Sequence, residues 1–259
     1  MAVGSVFVAR KFTWLNPPSH GRNRTGGLEE FVGHGAIVVL GDPGSGKSTL
    51  FGRAQRLEPF GAYFRVGEFL EFPDTEFSGK TLYLDALDEL RARQDGGQST
   101  IDRVAAKLIR LGRPTFRLSC RAAEWYGAGD RGGDEQTLKR AAQSADICVL
   151  QLEPLSDSDI VEIANAYGIS GQNFLSEAKR RGVHEWLSNP LNLELLLEVI
   201  VDNQWPPTRA EMFRLAVEKL VVEHNPEHER STSTASNKHR LLDQRVSLVL
   251  FYCWPERLG

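Results

Sequence analysis

Residues 36–50 read AIVVLGDPGSGKSTL, and the fold of the chain turns on them. The apolar run Ala36 to Leu40, closed by a glycine, has the length of a buried strand. Gly41, Asp42, Pro43, Gly44, Ser45, Gly46, Lys47 and Ser48 then satisfy the spacing G-x-x-x-x-G-K-[S/T] in full, and Thr49 continues into a helical pattern. Glycines at those positions let successive backbone N–H groups turn inward on phosphate oxygens, and the helix that follows adds the positive end of its dipole. A lysine reaches the outer phosphates, and the hydroxyl after it is a ligand for Mg²⁺. A plain glycine-rich turn needs neither Lys47 nor Ser48.

Outward from this stretch the chain alternates. Ala62 to Val66, Thr81 to Leu84, Thr115 to Ser119 and Ile147 to Leu152 are apolar runs of strand length. Between them, Ser48 to Leu57 and Thr100 to Leu111 carry apolar residues at steps of three and four. Strands alternating with helices predict an α/β fold with a parallel sheet covered on both faces. After Pro154 the pattern becomes helical: Ser156 caps a helix ending near Gly168, followed by Asn173 to Arg181, Pro190 to Val201, Arg209 to Val222 and Lys238 to Trp254. The expected organisation is a lead-in segment over 1–30, an α/β core over 31–153, an all-helical subdomain over 154–224, and a polar linker with the start of a further subdomain over 225–259. Residues 125–136, rich in glycine and charge, read as an exposed loop.

Composition narrows the functional classes. The 259 residues carry a formal net charge of −3, which gives no global reason to bind nucleic acid or an acidic membrane. Cys120, Cys148 and Cys253 lie far apart without CxxC spacing and read as buried thiols of a reducing compartment. Neither a membrane-spanning stretch nor a secretory leader is visible, so a cytoplasmic location is expected. The final FYCWPERLG is apolar enough that the chain reads as one piece of a longer protein.

Two further segments carry chemistry. TLYLDALDEL, residues 81–90, is an apolar strand ending in acids. Asp85 at the strand end is the natural partner of a Mg²⁺ held at the cradle, through water. Asp88 or Glu89 could polarise an attacking water; alternatively both are helix N-terminal acids complementing the dipole. In LSCRAAEW, residues 118–125, Arg121 falls just past a strand at the carboxyl edge of the sheet, where a guanidinium can sense a terminal phosphate or else pair with Glu124.

The acidic motif Asp85-Ala86-Leu87-Asp88-Glu89 resembles the extended Walker B of the NACHT family, in which a small and an apolar residue separate the first acid from an Asp-Glu pair. NACHT proteins belong to the STAND class of signal-transduction NTPases, related to AAA+ ATPases. Ser119-Cys120-Arg121 is similar to the family's sensor 1 segment, although Ala122 stands where a proline often follows. LEPLSDSDIVEIANAYG resembles the segment entering the helical subdomain. WLSNPLNLELLLEV, residues 186–199, resembles the segment whose proline packs near the adenine, which assigns Pro190 that role beside its ordinary place at the start of a helix. The family's winged-helix histidine, which holds the β-phosphate of ADP, is matched by none of His224, His228 and His239.

The resemblance implies a P-loop NTPase core that binds ATP or ADP with Mg²⁺. It implies a switch: an ADP-held monomer, exchange for ATP when a trigger binds elsewhere, and homo-oligomerisation that activates an effector, in antiphage defence or innate-immune-like signalling. Neither trigger nor effector is identified by these residues. Arg121 is assigned as a sensor and not as an arginine finger, so slow hydrolysis is expected. The alternative is a cycling AAA+-like motor remodelling protein or nucleic acid; its loop at 125–136 carries three acids against one arginine, which disfavours a nucleic-acid contact. A small-molecule kinase is a third reading, for which the helical tail is a poor lid.

Overall fold

The run at 36–40 is the middle strand of a seven-stranded sheet. The computed structural model describes residues 7–18, 24–87, 99–127, 133–144, 146–200 and 204–222. Its strands are β1 (Phe12–Trp14), β2 (Thr25–Gly26), β3 (Ala36–Leu40), β4 (Gly61–Arg65), β5 (Thr81–Asp85), β6 (Phe116–Cys120) and β7 (Cys148–Leu152), in the order β2-β1-β7-β3-β6-β5-β4. The five strands from β7 to β4 are parallel, and β1 and β2 add an antiparallel edge. The fold is therefore α/β with a mostly parallel mixed sheet, compatible with a Rossmann-like or P-loop architecture.

The order of connections positions everything that follows. From β3 the chain runs through α1 (Lys47–Leu57) to β4 at the far edge, then steps back through β5 to β6, which pairs with β3. The acidic strand is thus one strand removed from the cradle strand, and β6 lies between them.

Strand alternation gives the sheet two different faces. Val38, Leu40, Leu82, Leu84, Phe116 and Leu118 pack with residues of α2 (Val66–Glu71), α3 (Thr100–Arg110) and α5 (Gly133–Ala141) into one apolar core. Each such fully buried side chain contributes roughly 1.5–3 kcal/mol relative to an exposed one. The alternate positions Tyr83, Asp85, Arg117 and Ser119 face the other way, toward α1, where Phe51 meets Tyr83 edge to face at 5.4 Å. That side carries a polar column inside the protein.

Residues 9–154 form one compact unit, and the described residues from Leu155 onward, with Val8, belong to a second. The second contains α6 (Asp157–Ala166), α7 (Gly171–Arg180), a 3₁₀ turn at His184–Ser188, α8 (Pro190–Val199) and α9 (Arg209–Val222). Ser156 caps α6 as its spacing predicts: it accepts from the Asp159 N–H at 3.3 Å, while the Asp159 carboxylate accepts from the Ser156 N–H at 2.8 Å.

Several expectations are corrected. The segment expected as a strand over Ala62 to Val66 runs from Gly61 to Arg65, and buried Val66 opens α2 instead. Gly61 is required there: a Cβ would stand 2.3 Å from the Gln55 carbonyl of α1. The exposed loop expected over 125–136 is partly helical. Helix α4 (Ala122–Gly127) reaches into it with Trp125 buried, and α5 begins at Gly133. An aromatic anchor and the acidic first turn of α5, Asp134 and Glu135, override the glycine-rich composition. The lead-in segment contributes two sheet strands too short to show alternation. The linker over 225–237 and the helix expected over Lys238 to Trp254 lie outside the described residues. Among the described residues no helix is long and apolar enough to cross a membrane. Cys120 and Cys148 are buried free thiols; Cys253 lies outside the described residues.

Candidate functional site

The loop after β3 closes on itself as its glycines allow. Gly44 and Gly46 take φ values of 75° and 90°, left-handed conformations that a side chain would strain. Gly46 is the N-cap of α1 and supplies no side-chain cap, and the first turn of that helix contains no acid. The helix therefore presents its opening N–H groups beside a lysine, an arrangement suited to an anion. Gly41 needs its hydrogen: a Cβ there would lie 2.9 Å from Ser45 Oγ and 3.5 Å from Lys47 Cδ, filling the cradle. Its N–H donates to the Cys120 carbonyl at 3.2 Å, tying the start of the loop to the end of β6.

Two side chains in the loop are informative. Lys47 Nζ donates to the Gly41 and Asp42 carbonyls at 2.7 and 2.9 Å, so the ammonium folds onto the loop it serves. Ser45 is buried and its Oγ has no hydrogen-bond partner. A buried hydroxyl left unpaired costs about 1–3 kcal/mol, and a phosphate oxygen would satisfy it. Pro43 and Thr49 complete the loop and the first helical turn, Thr49 lying exposed.

The loop is also braced from a place the motif does not reveal. Arg10, in the segment before β1, donates to the Ser45 carbonyl at 2.7 Å and to the Glu153 carbonyl at 2.6 Å. One guanidinium thus joins the turn of the cradle to the end of β7.

Asp85 closes β5 with only 3% exposure, and donors meet both of its carboxylate oxygens. The Tyr63 hydroxyl of β4 donates to Oδ2 at 2.7 Å, and the Ser119 hydroxyl of β6 donates to Oδ1. Ser119 Oγ also accepts the Ala86 N–H at 3.0 Å, holding Ala86 in a left-handed turn with φ 62°. Burial, then the hydrogen bond to Asp85 and its charge, hold the Tyr63 phenol above its ordinary range, while Arg65 and a hydrogen bond from Ser48 act against the rise. Tyr63 and Asp85 therefore meet, although they come from β4 and β5. Lower in the same column, Arg117 is almost fully buried and donates to the His34 and Val32 carbonyls at 2.9 Å each, with Glu58 at 3.8 Å.

Of the other expected residues, Arg121 stands half-buried immediately after β6, between the ends of the cradle strand and the acidic strand. Asp88 and Glu89 lie outside the described residues. Pro190 is the first residue of α8, behind the Asn189 cap that accepts from the Leu191 N–H at 3.0 Å. Sequence reasoning did not find Arg10, Tyr63 or Ser119 as site residues. A weak signal existed: Tyr83 and Asp85, like Arg117 and Ser119, alternate on one side of otherwise apolar strands.

The residues present fit a nucleotide phosphate with its cation. Among the described residues no group of three or more His, Cys, Asp or Glu could hold a metal without help. A cation between Ser48 and Asp85 would thus need oxygens from a bound phosphate, as Mg²⁺ sites beside phosphates do. No protein-family model matches the chain, and no curated protein matches it.

Proposed function

We propose that this chain is the nucleotide-binding part of a molecular switch, a P-loop NTPase resembling the NACHT family of STAND proteins. It binds ATP or ADP at Gly41 to Thr49 and hydrolyses ATP slowly. The observation that carries the reading is the buried, unpaired Ser45 hydroxyl within a loop of left-handed glycines, one strand away from a buried Asp85.

The chain's own residues divide the work. Lys47 exchanges the Gly41 and Asp42 carbonyls for phosphate oxygens. Ser48 directly and Asp85 through water would hold Mg²⁺, which when bound would neutralise charge on the outer phosphates. Asp88 or Glu89 takes the proton of the attacking water, and Arg121 senses the terminal phosphate. ADP holds the resting form, and ATP favours one that assembles with further copies and activates an effector, in antiphage defence or related signalling, within the cytoplasm.

The test is the nucleotide that co-purifies with the protein, together with steady-state turnover. Near-stoichiometric ADP and turnover of about 10⁻⁴ to 10⁻³ per second support the switch. An empty site with rapid turnover in the isolated chain would overturn it in favour of a cycling motor. Glu89→Gln, or Asp88→Asn, should retain ATP binding and abolish hydrolysis; normal hydrolysis in both variants refutes the acidic assignment.

A further inference from the structure

The Tyr63 hydroxyl occupies an oxygen of Asp85, which with Ser48 holds the cation in the reading above. It donates to Asp85 Oδ2 at 2.7 Å. We infer that Tyr63 is a stand-in for the cation at Asp85, its hydroxyl holding Oδ2 until Mg²⁺ with its water displaces it; the inference rests on that reading of the cradle.

The reason is the state of Asp85. A carboxylate buried to 3% exposure needs donors or a cation around it. Tyr63 and Ser119 supply one donor to each carboxylate oxygen, and a cation arriving with a nucleotide competes with them for those oxygens. Ser119 is fully buried, inside the sheet, and also holds the Ala86 N–H. Tyr63 is half-buried and belongs to β4, the edge strand, so its hydroxyl is the partner free to swing aside. Binding of Mg²⁺ is then a competition, whereas binding of nucleotide without the cation does not involve Tyr63. The device makes tight nucleotide binding conditional on the cation's concentration.

The competition is measurable on the full chain with ADP as the probe. ADP affinity is determined in EDTA and across a Mg²⁺ titration for the wild type and Tyr63→Phe, which keeps the ring and removes the hydroxyl. The expected result is equal affinity in EDTA and an approximately tenfold lower Mg²⁺ concentration for half-maximal tightening in Tyr63→Phe, the weight of one modest hydrogen bond. An unchanged or higher Mg²⁺ midpoint overturns the inference while leaving the cradle intact. Absence of ADP binding by the wild type, with and without Mg²⁺, overturns both. A second measurement needs no variant: ring-labelled tyrosine NMR of the wild type should show the Tyr63 signal move on adding Mg²⁺ to the ADP complex, and a stationary signal also overturns the inference.

Discussion

Arg10 donates a hydrogen bond to the carbonyl of Ser45 at 2.7 Å, so a residue of the segment before β1 braces the glycine-rich turn between β3 and α1. Its other nitrogen holds the Glu153 carbonyl at 2.6 Å. Hydrogen bonds from a charged donor contribute about 1.5–3 kcal/mol. Arg10→Ala should therefore lower the melting temperature and weaken ADP binding about tenfold, since the loop loses its fixed geometry. Arg10→Lys should recover only part of both, because an ammonium cannot span the two carbonyls with the same fork. Equal ADP affinity in Arg10→Ala and the wild type, measured by calorimetry, would refute the bracing role.

Lys47→Ala removes the donor now held by the Gly41 and Asp42 carbonyls. In the nucleotide complex it removes the cation facing the phosphates, so ADP affinity should fall by roughly two orders of magnitude, while the unliganded protein stays folded. Calorimetric titration separates the two effects. Unchanged affinity would show that this loop is not the phosphate cradle.

Arg117 is a buried anchor, with 1% exposure in the middle of β6. Burial lowers its pKa, and Glu58 and Tyr83 oppose that effect. Arg117→Ala strands the His34 and Val32 carbonyls and leaves Glu58 without this partner, so it should destabilise the chain by about 3 kcal/mol. Arg117→Met, which refills the volume, should be milder. Urea unfolding midpoints at constant slope provide the comparison, and a change under ~1 kcal/mol in Arg117→Ala would contradict the anchor.

Cys148 should be chemically silent in the native protein. Burial, then the charge of Asp146, push its thiol up to about 12, with Arg117 acting the other way. At pH 8 the reactive thiolate is then roughly one part in ten thousand of the thiol. Iodoacetamide labelling followed by mass spectrometry should modify Cys148 only after denaturation. Rapid native labelling would show that β7 is open to reagent.

The turn after β3 was legible from sequence because it is a local object. Its backbone depends on glycines within a few residues of one another, and the left-handed Gly44 and Gly46 sit where the spacing requires them. The Ser156 cap is local in the same sense, since a side chain and an N–H three residues apart decide it. Helix and strand positions followed from periodicity wherever an apolar face recurs, and slipped where tertiary packing set the boundary. Gly61 begins β4 because α1 crosses closely there, and Val66 leaves the strand to bury itself from α2.

What the sequence by itself determined is therefore the glycine-rich loop before α1, the strand that feeds it, the acid that ends β5, and the change to helices after Pro154. Only the tertiary structure decided which side chains gather around them. Tyr63 and Ser119 reach Asp85 from 22 and 34 residues away, and Arg10 reaches Glu153 across 143. Those partners are chosen by strand order: placing β6 between β3 and β5 brings Ser119 and Arg121 to the space between cradle and acid. Strand order follows from the packing of both sheet faces at once, and such long-range pairing has no expression in local spacing.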